Sequence, residues 1–238
     1  MEENLRRPAN LFQIISGLID NNYYAVHSSM IMAVLFSLAG IILIFYFFER
    51  TTAPEILYIA FFTISLSFEV IRLILPLSFI INFPSVYIRV FSHVLLFARY
   101  FGIFSLFAAS ICAAGLDVQK TRNVIFVIII AAMLITFGVP IDVLNWDTSF
   151  NMVNGYASLF RMIELTAYLI TMISFLITAK TRDTKEYVYV AVGIILAFFG
   201  RNILLNADNW INPVFGILLL SFGTWFLCSK LHKIHLWL

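Results

Sequence analysis

The chain has 238 residues, of which 62% are hydrophobic and 12% are charged, and its formal net charge is +2. An ordinary soluble domain is about half apolar and about a quarter charged, so this composition excludes water as the main solvent of the chain. Membrane helices need roughly 20 apolar residues each, so the length accommodates about seven helices and leaves no room for a soluble catalytic domain. No Lys-rich or Arg-rich run is present, and we predict no nucleic-acid partner.

The first predicted element, residues 1–28, is a weakly amphipathic segment that contains Arg6, Arg7 and Pro8. No small-residue cleavage site follows it, so the segment does not read as a signal peptide. We expect a short helix that lies in the membrane interface.

Seven apolar runs follow this segment, separated by polar or turn-forming residues. They cover about 29–48, 55–80, 87–115, 123–144, 156–179, 187–207 and 211–229. Helix is the open-chain structure that satisfies its own backbone hydrogen bonds in hydrocarbon. The sequence therefore predicts an all-α polytopic membrane protein, with a seven-helix bundle over residues 29–229 and a short cytoplasmic or interfacial tail at 230–238.

The distribution of Lys and Arg in the connections predicts the orientation of the spans. One set of connections, with the chain after the last span, contains Arg50, Lys120, Arg122, Lys180, Arg182, Lys185, Lys230 and Lys233. The opposite set, around Asn82, 142–147 and Asp208, contains no Lys or Arg. Cytoplasmic loops carry the excess of these residues, so, apart from Arg6 and Arg7, the basic residues predict the N-terminus outside and the C-terminus in the cytoplasm. The short inner loops favour a bacterial inner membrane.

Ionisable residues inside the predicted spans are the candidates for function. Burial of such a residue in hydrocarbon costs free energy unless the residue is paired or hydrated, so our first hypothesis for each is a functional role. With the predicted orientation, these residues lie in the outer half of the bilayer or near its midplane. They are Glu69 and Arg72 in the second span, Arg89, His93 and Arg99 in the third, Arg161 and Glu164 in the fifth, and Arg201 with Asn202 in the sixth.

The balance of charge in this set favours an anionic partner. Glu69 with Arg72 and Arg161 with Glu164 are three residues apart, so each pair can form an ion pair on one helix face. A guanidinium group cannot discard its proton to escape burial, so about three positive charges remain to be satisfied. Lipid phosphates, backbone carbonyls, cavity water or a bound anion could satisfy them.

Depth in the bilayer separates the arginines from one another. Arg99 lies roughly 15 Å below Arg89, near the midplane of a hydrocarbon core about 30 Å thick, and is the strongest candidate. Arg89 lies near the start of its helix, and we expect it to snorkel to a headgroup. Arg201 has no acidic neighbour within one turn. His93 fits a hydrogen-bonded core histidine better than a proton switch.

Other features predict packing and exclude common chemistry. Small residues at 108–115 in the third span and at 193–200 in the sixth allow close approach, so we expect these two spans to pack together. Cys112 and Cys228 have no CxxC or His-rich neighbourhood, and we expect neither a disulfide nor a metal site. The sequence has no GxSxG, HExxH, Walker or Rossmann pattern, and we expect no cofactor.

Three segments carry a resemblance to a known class of proteins. They are Phe68-Glu69 in the second span, Arg99-Tyr100-Phe101-Gly102 in the third, and Ser229-Lys230-Leu231-His232-Lys233 at the inner exit. With the predicted topology, the chain resembles the seven-helix membrane sensor regions of bacterial receptors and histidine kinases. The resemblance implies a sensory role. Because no output domain follows Leu238, it also implies a signalling partner in the membrane or the cytoplasm, or a protein that keeps only the ligand-binding part.

We therefore expect a non-enzymatic binding or sensory protein with an outward-facing polar pocket in the bilayer. In this hypothesis Arg99 and Arg201 bind an anionic or lipid-like ligand, and Arg72 and Arg161 support them. Bidentate guanidinium geometry suits a carboxylate or a phosphate.

Three alternatives stay open. One is a small transporter or channel component for an anionic or lipidic substrate, and another is a structural subunit of a membrane complex. The third is an enzyme that acts on lipid through Glu69, Glu164 or His93 as acid or base, although the sequence offers no nucleophile or metal set to support it.

Overall fold

The computed structural model describes residues 23–48, 53–81, 84–115, 121–147 and 150–237. Within these ranges, seven helical spans are long and apolar enough to cross a membrane, which confirms the predicted seven-helix architecture. The interfacial helix predicted within residues 1–28 falls mainly outside the described residues. Following the predicted orientation, we call the end of the bundle that contains Tyr23 and Leu205 the outer end.

The spans begin and end close to the predicted positions. The helices are α1 (Tyr23–Phe48), α2 (Pro54–Ser65), a 3-10 helix (Leu66–Leu73), α3 (Ile74–Ile81), α4 (Ser85–Ala113), α5 (Thr121–Gly138), α6 (Ala157–Thr181), α7 (Glu186–Leu205) and α8 (Ile211–Trp237). The second span therefore consists of α2, the 3-10 helix and α3 in line. The first span starts at residue 23 rather than 29, and the last continues to 237 through the predicted tail.

Six of the seven described spans form a closed ring. The first span packs on the second, the second on the third, the third on the fifth, the fifth on the sixth, the sixth on the seventh, and the seventh again on the first. The fourth span, α5, lies outside this ring and packs mainly on α4. Its buried residues are Ile128, Ala132 and Thr136, which form a single narrow stripe, so most of its surface is left to face lipid.

The closest helix contact joins the sixth and seventh spans. A Cβ placed on Gly200 would collide with the backbone of Leu220, and one on Gly223 would lie 2.6 Å from the Ala197 nitrogen. Glycine at these positions lets the two backbones touch, which stabilises helix pairs in lipid through dispersion contacts. The expected packing of the sixth span on the third is therefore wrong, because its small residues face α8.

A short hairpin connects the fourth and fifth spans at the outer end. The fourth span ends at Gly138 rather than at 144, because Pro140 cannot donate the next helical hydrogen bond. The chain then forms two antiparallel strands, β1 (Ile141–Trp146) and β2 (Met152–Asn154). At the base of the hairpin, the Gly155 N–H donates to the Pro140 carbonyl at 2.8 Å. Strand β1 packs against α4 at the outer end of the bundle.

Candidate functional site

The 3-10 helix places the two ionisable residues of the second span on one face. Its period is about 3.0 residues per turn, so residues three apart eclipse each other, whereas in an α-helix they remain neighbours but are offset by about 60°. The buried residues of this segment are Leu66, Glu69 and Arg72, at a spacing of three. A 3-10 segment of 8 residues is long, and such stretches within helices often mark hinges or strained sites.

Contacts at the start of this segment favour the change of helix type. The hydroxyls of Ser65 and Ser67 donate to the carbonyls of Phe62 and Ile64, three residues back, at 2.6 and 2.7 Å. Such local bonds compete with the regular α-helical ladder. A Cβ on Gly102 of α4 would collide with the Ser65 hydroxyl, so the second and third spans cross here in direct contact.

Glu69 is bound by a bidentate arginine from the third span. Arg99 Nε donates to Glu69 Oε1 and Arg99 Nη2 donates to Glu69 Oε2, each at 2.7 Å. The Glu69 side chain is 1% exposed and that of Arg99 is 15% exposed. Two parallel charge-assisted hydrogen bonds of this kind are about twice as strong as neutral ones and fix the orientation of both groups.

Arg72 is the second cation beside the same carboxylate. Its Nη1 lies 3.5 Å from Glu69 Oε2, and its side chain is 1% exposed. The local pair predicted from the three-residue spacing therefore exists, but the shorter bonds of Glu69 go to Arg99. Two guanidinium groups thus converge on one carboxylate in the core of the bundle.

The tip of the hairpin closes the site from the outer end. Arg99 Nη2 also donates to Asn151 Oδ1 at 2.8 Å. The Phe150 ring packs edge-on against the rings of Tyr23 and His27 in α1, with centroids 5.2 and 5.5 Å apart. Phe150 has a φ of +55°, which is a costly backbone conformation for a bulky side chain and persists only where the surroundings fix it. Contacts on two spans therefore hold the tip in place.

Arg201 forms a second cationic centre in the sixth span. Its side chain is 4% exposed, and its Nη1 lies 3.5 Å from the Tyr168 hydroxyl, a long and weak hydrogen bond. It interacts electrostatically with Glu164 and with Glu69. Arg201 therefore belongs to the same electrostatic cluster, although it does not contact Glu69 directly.

A small cavity lies between the cluster and the hairpin tip. Its volume is about 30 Å³, and Arg72, Arg99, Asn151 and Phe150 line it together with apolar side chains of the second and third spans. A water molecule needs roughly 10–15 Å³ of such volume, so the cavity suits about two waters. An organic ligand would have to displace the hairpin tip or extend beyond the cavity.

The ion pair predicted in the fifth span does not form. Among the described residues, no salt bridge joins Arg161 to Glu164; Arg161 is exposed and Glu164 is half-buried. Phe160 and Ile163 of the same helix pack against the core, whereas Arg161 faces outward between them. Arg161 is therefore not placed with Arg72 and Arg99.

Three other predicted site residues also lie away from the cluster. Arg89 is exposed, and His93 is half-buried with its Nδ1 2.8 Å from the Arg89 carbonyl oxygen, which satisfies the ring within its own helix. Asn202 is exposed, and its Oδ1 accepts a hydrogen bond from Asn206 at 2.8 Å. Neighbouring residues on a helix point about 100° apart, so Asn202 faces outward while Arg201 faces the core.

Two contributors to the site were not predicted. Tyr168 resembles an ordinary apolar aromatic in the sequence, and only its partner Arg201 reveals its role. Asn151 lies in a segment that the pattern treats as a loop, although Pro140 and the Asn154-Gly155 pair are recognisable signals of a helix end and a turn.

The fold and this buried ionic cluster define a multi-pass integral membrane protein. No protein-family model matches the chain. The chain is similar to an uncharacterized protein of Treponema pallidum (strain Nichols), with 21% identity over 239 aligned residues that cover 80% of this chain and 69% of the Treponema protein.

Proposed function

We propose that this protein is a membrane binding or sensory protein whose buried arginine cluster accepts an anionic or lipid-like ligand from the predicted outer side. The observation that supports this proposal is the sharing of Glu69 by Arg72 and Arg99. The other partner of Arg99 is the neutral amide of Asn151, so this guanidinium can still accept an anion. Arg72 also interacts with Asp147 in the hairpin.

The position of the cavity supports entry of the ligand beneath the hairpin. The cavity adjoins both guanidinium groups and is lined by Phe150 and Asn151 of the hairpin. An anion that binds there replaces a neutral amide oxygen on Arg99 with a charged one, and hydrogen bonds between ions are the stronger kind. Binding therefore favours a state in which the hairpin tip has moved.

The 3-10 helix couples ligand binding to the conformation of the second span. A ligand shifts a conformational equilibrium only through different affinities for the two states. A ligand that draws Arg99 away from Glu69 would do so, because Glu69 and Arg72 are eclipsed in the 3-10 helix Leu66–Leu73 and would be offset by about 60° in an α-helix. The resemblance to bacterial seven-helix sensor regions supports a signalling role with a membrane or cytoplasmic partner. The bacterial origin of the similar protein supports a bacterial membrane as the location of this chain.

Ligand-dependent thermal stabilisation of the full chain in detergent tests the proposal. The ligand panel contains phosphate, sulfate, acetate and citrate, with octyl phosphate, octyl sulfate and octanoate as amphipathic anions. We expect at least one anion to raise the Tm of the wild type and to have no effect on Arg99→Gln. The matched control is Arg89→Gln, an exposed arginine on the same helix, which keeps the response. The proposal is wrong if every anion response of the wild type survives in a folded Arg99→Gln variant, or if no anion stabilises the wild type.

A small transporter or channel component for an anionic substrate is the second candidate. The 3-10 interruption of the second span favours it, because transporter sites are often formed by discontinuous helices near the midplane. Proteoliposomes that take up the stabilising anion in the wild type, and not in Arg99→Gln, would establish transport. Stabilisation without uptake would leave the binding or sensory role.

A further inference from the structure

The guanidinium group of Arg99 has two edges that can each bind a carboxylate, and only one of them is filled. The Nε and Nη2 edge holds both oxygens of Glu69. On the other edge, Nη2 donates to Asn151 Oδ1, and Nη1 makes no hydrogen bond to a described residue. An amide cannot complete this edge, because its second polar atom is an NH₂ donor.

From this half-filled edge we infer that the ligand of the site is a monocarboxylate with an apolar chain, bound by Arg99 Nη1 and Nη2 in place of the Asn151 amide. The inference rests on the proposed function and names its ligand class. Two carboxylate oxygens on these two nitrogens repeat the geometry that Glu69 already makes on the opposite edge.

The shape of the open edge limits the head group. Nη1 and Nη2 lie in the plane of the guanidinium group and point at two acceptors side by side, which a planar carboxylate supplies. The cavity beside them has a volume of about 30 Å³, which suits about two water molecules, so a carboxylate needs a smaller displacement of the hairpin tip than a tetrahedral phosphate does.

The residues that line the cavity are the reason for assigning an apolar chain to the ligand. Apart from the polar groups near Arg99, the side chains around the cavity belong to the outer halves of the second and third spans and are mostly aliphatic: Ile71, Ile74, Leu75, Ile88, Leu95 and Leu96. Phe91 also lines it and is 36% exposed, so the cavity reaches the surface that faces lipid. An alkyl chain attached to the carboxylate can extend between these two spans into the lipid.

Three eight-carbon probes separate head group from chain in a thermal-shift experiment on the full-length wild type in detergent. Octanoate carries the inferred head group, octanamide is its neutral isostere with the amide of Asn151, and octyl phosphate carries a larger anion. We expect octanoate at a hundredfold excess over its Kd to raise the Tm by roughly 5 °C or more, and octanamide to leave it unchanged. Arg99→Lys keeps the positive charge but loses the paired N–H donors of the guanidinium group, so the octanoate affinity should fall at least about tenfold.

Substitution of the hairpin residue tests the geometry directly. Asn151→Asp places a tethered carboxylate on the open edge, so it should abolish the octanoate response, whereas the matched change Asn202→Asp on an exposed face should keep it. If Asn151→Asp does not fold, Asn151→Ala serves instead, because it clears the edge and should bind octanoate at least as tightly as the wild type.

Each contrary result has a distinct meaning. Equal stabilisation by octanoate and octanamide overturns the inference, because the alkyl chain of the probe would then bind without any contribution from the carboxylate. Stabilisation by octyl phosphate but not by octanoate also overturns it, while the anion site of the proposed function stands. If no anion stabilises the wild type, the proposed function fails, and the inference fails with it.

Discussion

Arg99 and Glu69 are 30 positions apart in the chain, yet they form two parallel hydrogen bonds of 2.7 Å in the interior of the bundle. This bidentate ion pair joins the third span to the 3-10 helix of the second. It lies at a depth where the surrounding hydrocarbon cannot solvate either charge. With Arg72 on the same carboxylate, Glu69 becomes the residue on which the local charge balance depends.

Glu69→Gln should destabilise the protein strongly. The change removes the carboxylate that Arg72 and Arg99 share, and loss of one partner of a buried pair costs about 3–5 kcal/mol. Unfolding by SDS titration in mixed micelles measures the loss. Asp183→Asn is the control and should cost less than about 1 kcal/mol, because Asp183 is exposed and makes no salt bridge to a described residue. Equal unfolding midpoints for the two variants would contradict the role assigned to Glu69.

The components of this cluster could be identified from the sequence, but their pairing could not. Glu69, Arg72, Arg99 and Arg201 are recognisable because ionisable residues are rare inside apolar runs. Glu69 pairs with Arg99 because of the way the second and third spans are rotated about their axes. The close contact between Ser65 and Gly102 sets that rotation. Sequence spacing identifies pairs on one helix and contains no information on that rotation.

The incorrect predictions have the same physical origin. Arg161 and Glu164 have the spacing of an ion pair, but whether such a pair forms depends on neighbours that the spacing does not describe. The hairpin was missed because the apolar run continues past Pro140, and a count of apolar residues does not register the missing backbone donor. Asn151 then reaches the site through a fold of the chain that hydropathy does not report.

Gly200→Ala should separate the sixth and seventh spans. The added methyl group would collide with the backbone of Leu220, which cannot rotate aside as a side chain could, so the helices must move apart at a cost of about 1–3 kcal/mol. The same SDS titration measures the change in the free energy of unfolding. Gly138→Ala adds the same group where no atom lies within 4 Å, and it should be neutral or slightly stabilising. A larger loss for Gly138→Ala than for Gly200→Ala would refute the direct backbone contact.

Gly102→Ala and Ser65→Gly should compensate each other in a double-mutant cycle. Gly102→Ala alone overpacks the crossing of the second and third spans and should cost about 1–3 kcal/mol. Ser65→Gly removes the atoms that the new methyl group meets, so the double variant should be more stable than the sum of the single losses by about 0.5–3 kcal/mol. Ser67→Gly is the control partner, because the Ser67 hydroxyl also bonds three residues back but does not meet a Cβ on Gly102. Strict additivity for Ser65 and Gly102 would show that the crossing does not pass through these two residues.

The predicted orientation decides which side of the membrane supplies the ligand, and single cysteines can test it. Tyr156→Cys lies beside the hairpin at a position that is 74% exposed, and Lys185→Cys lies in an exposed connection at the opposite end. The native Cys112 and Cys228 are 5% and 4% exposed, so they should react slowly and need no replacement. Because the connections rich in Lys and Arg stay in the cytoplasm, an impermeant maleimide should label Tyr156→Cys in intact cells and Lys185→Cys only after permeabilisation. The opposite labelling pattern would place the arginine cluster near the cytoplasmic side and would require a ligand that comes from the cell interior.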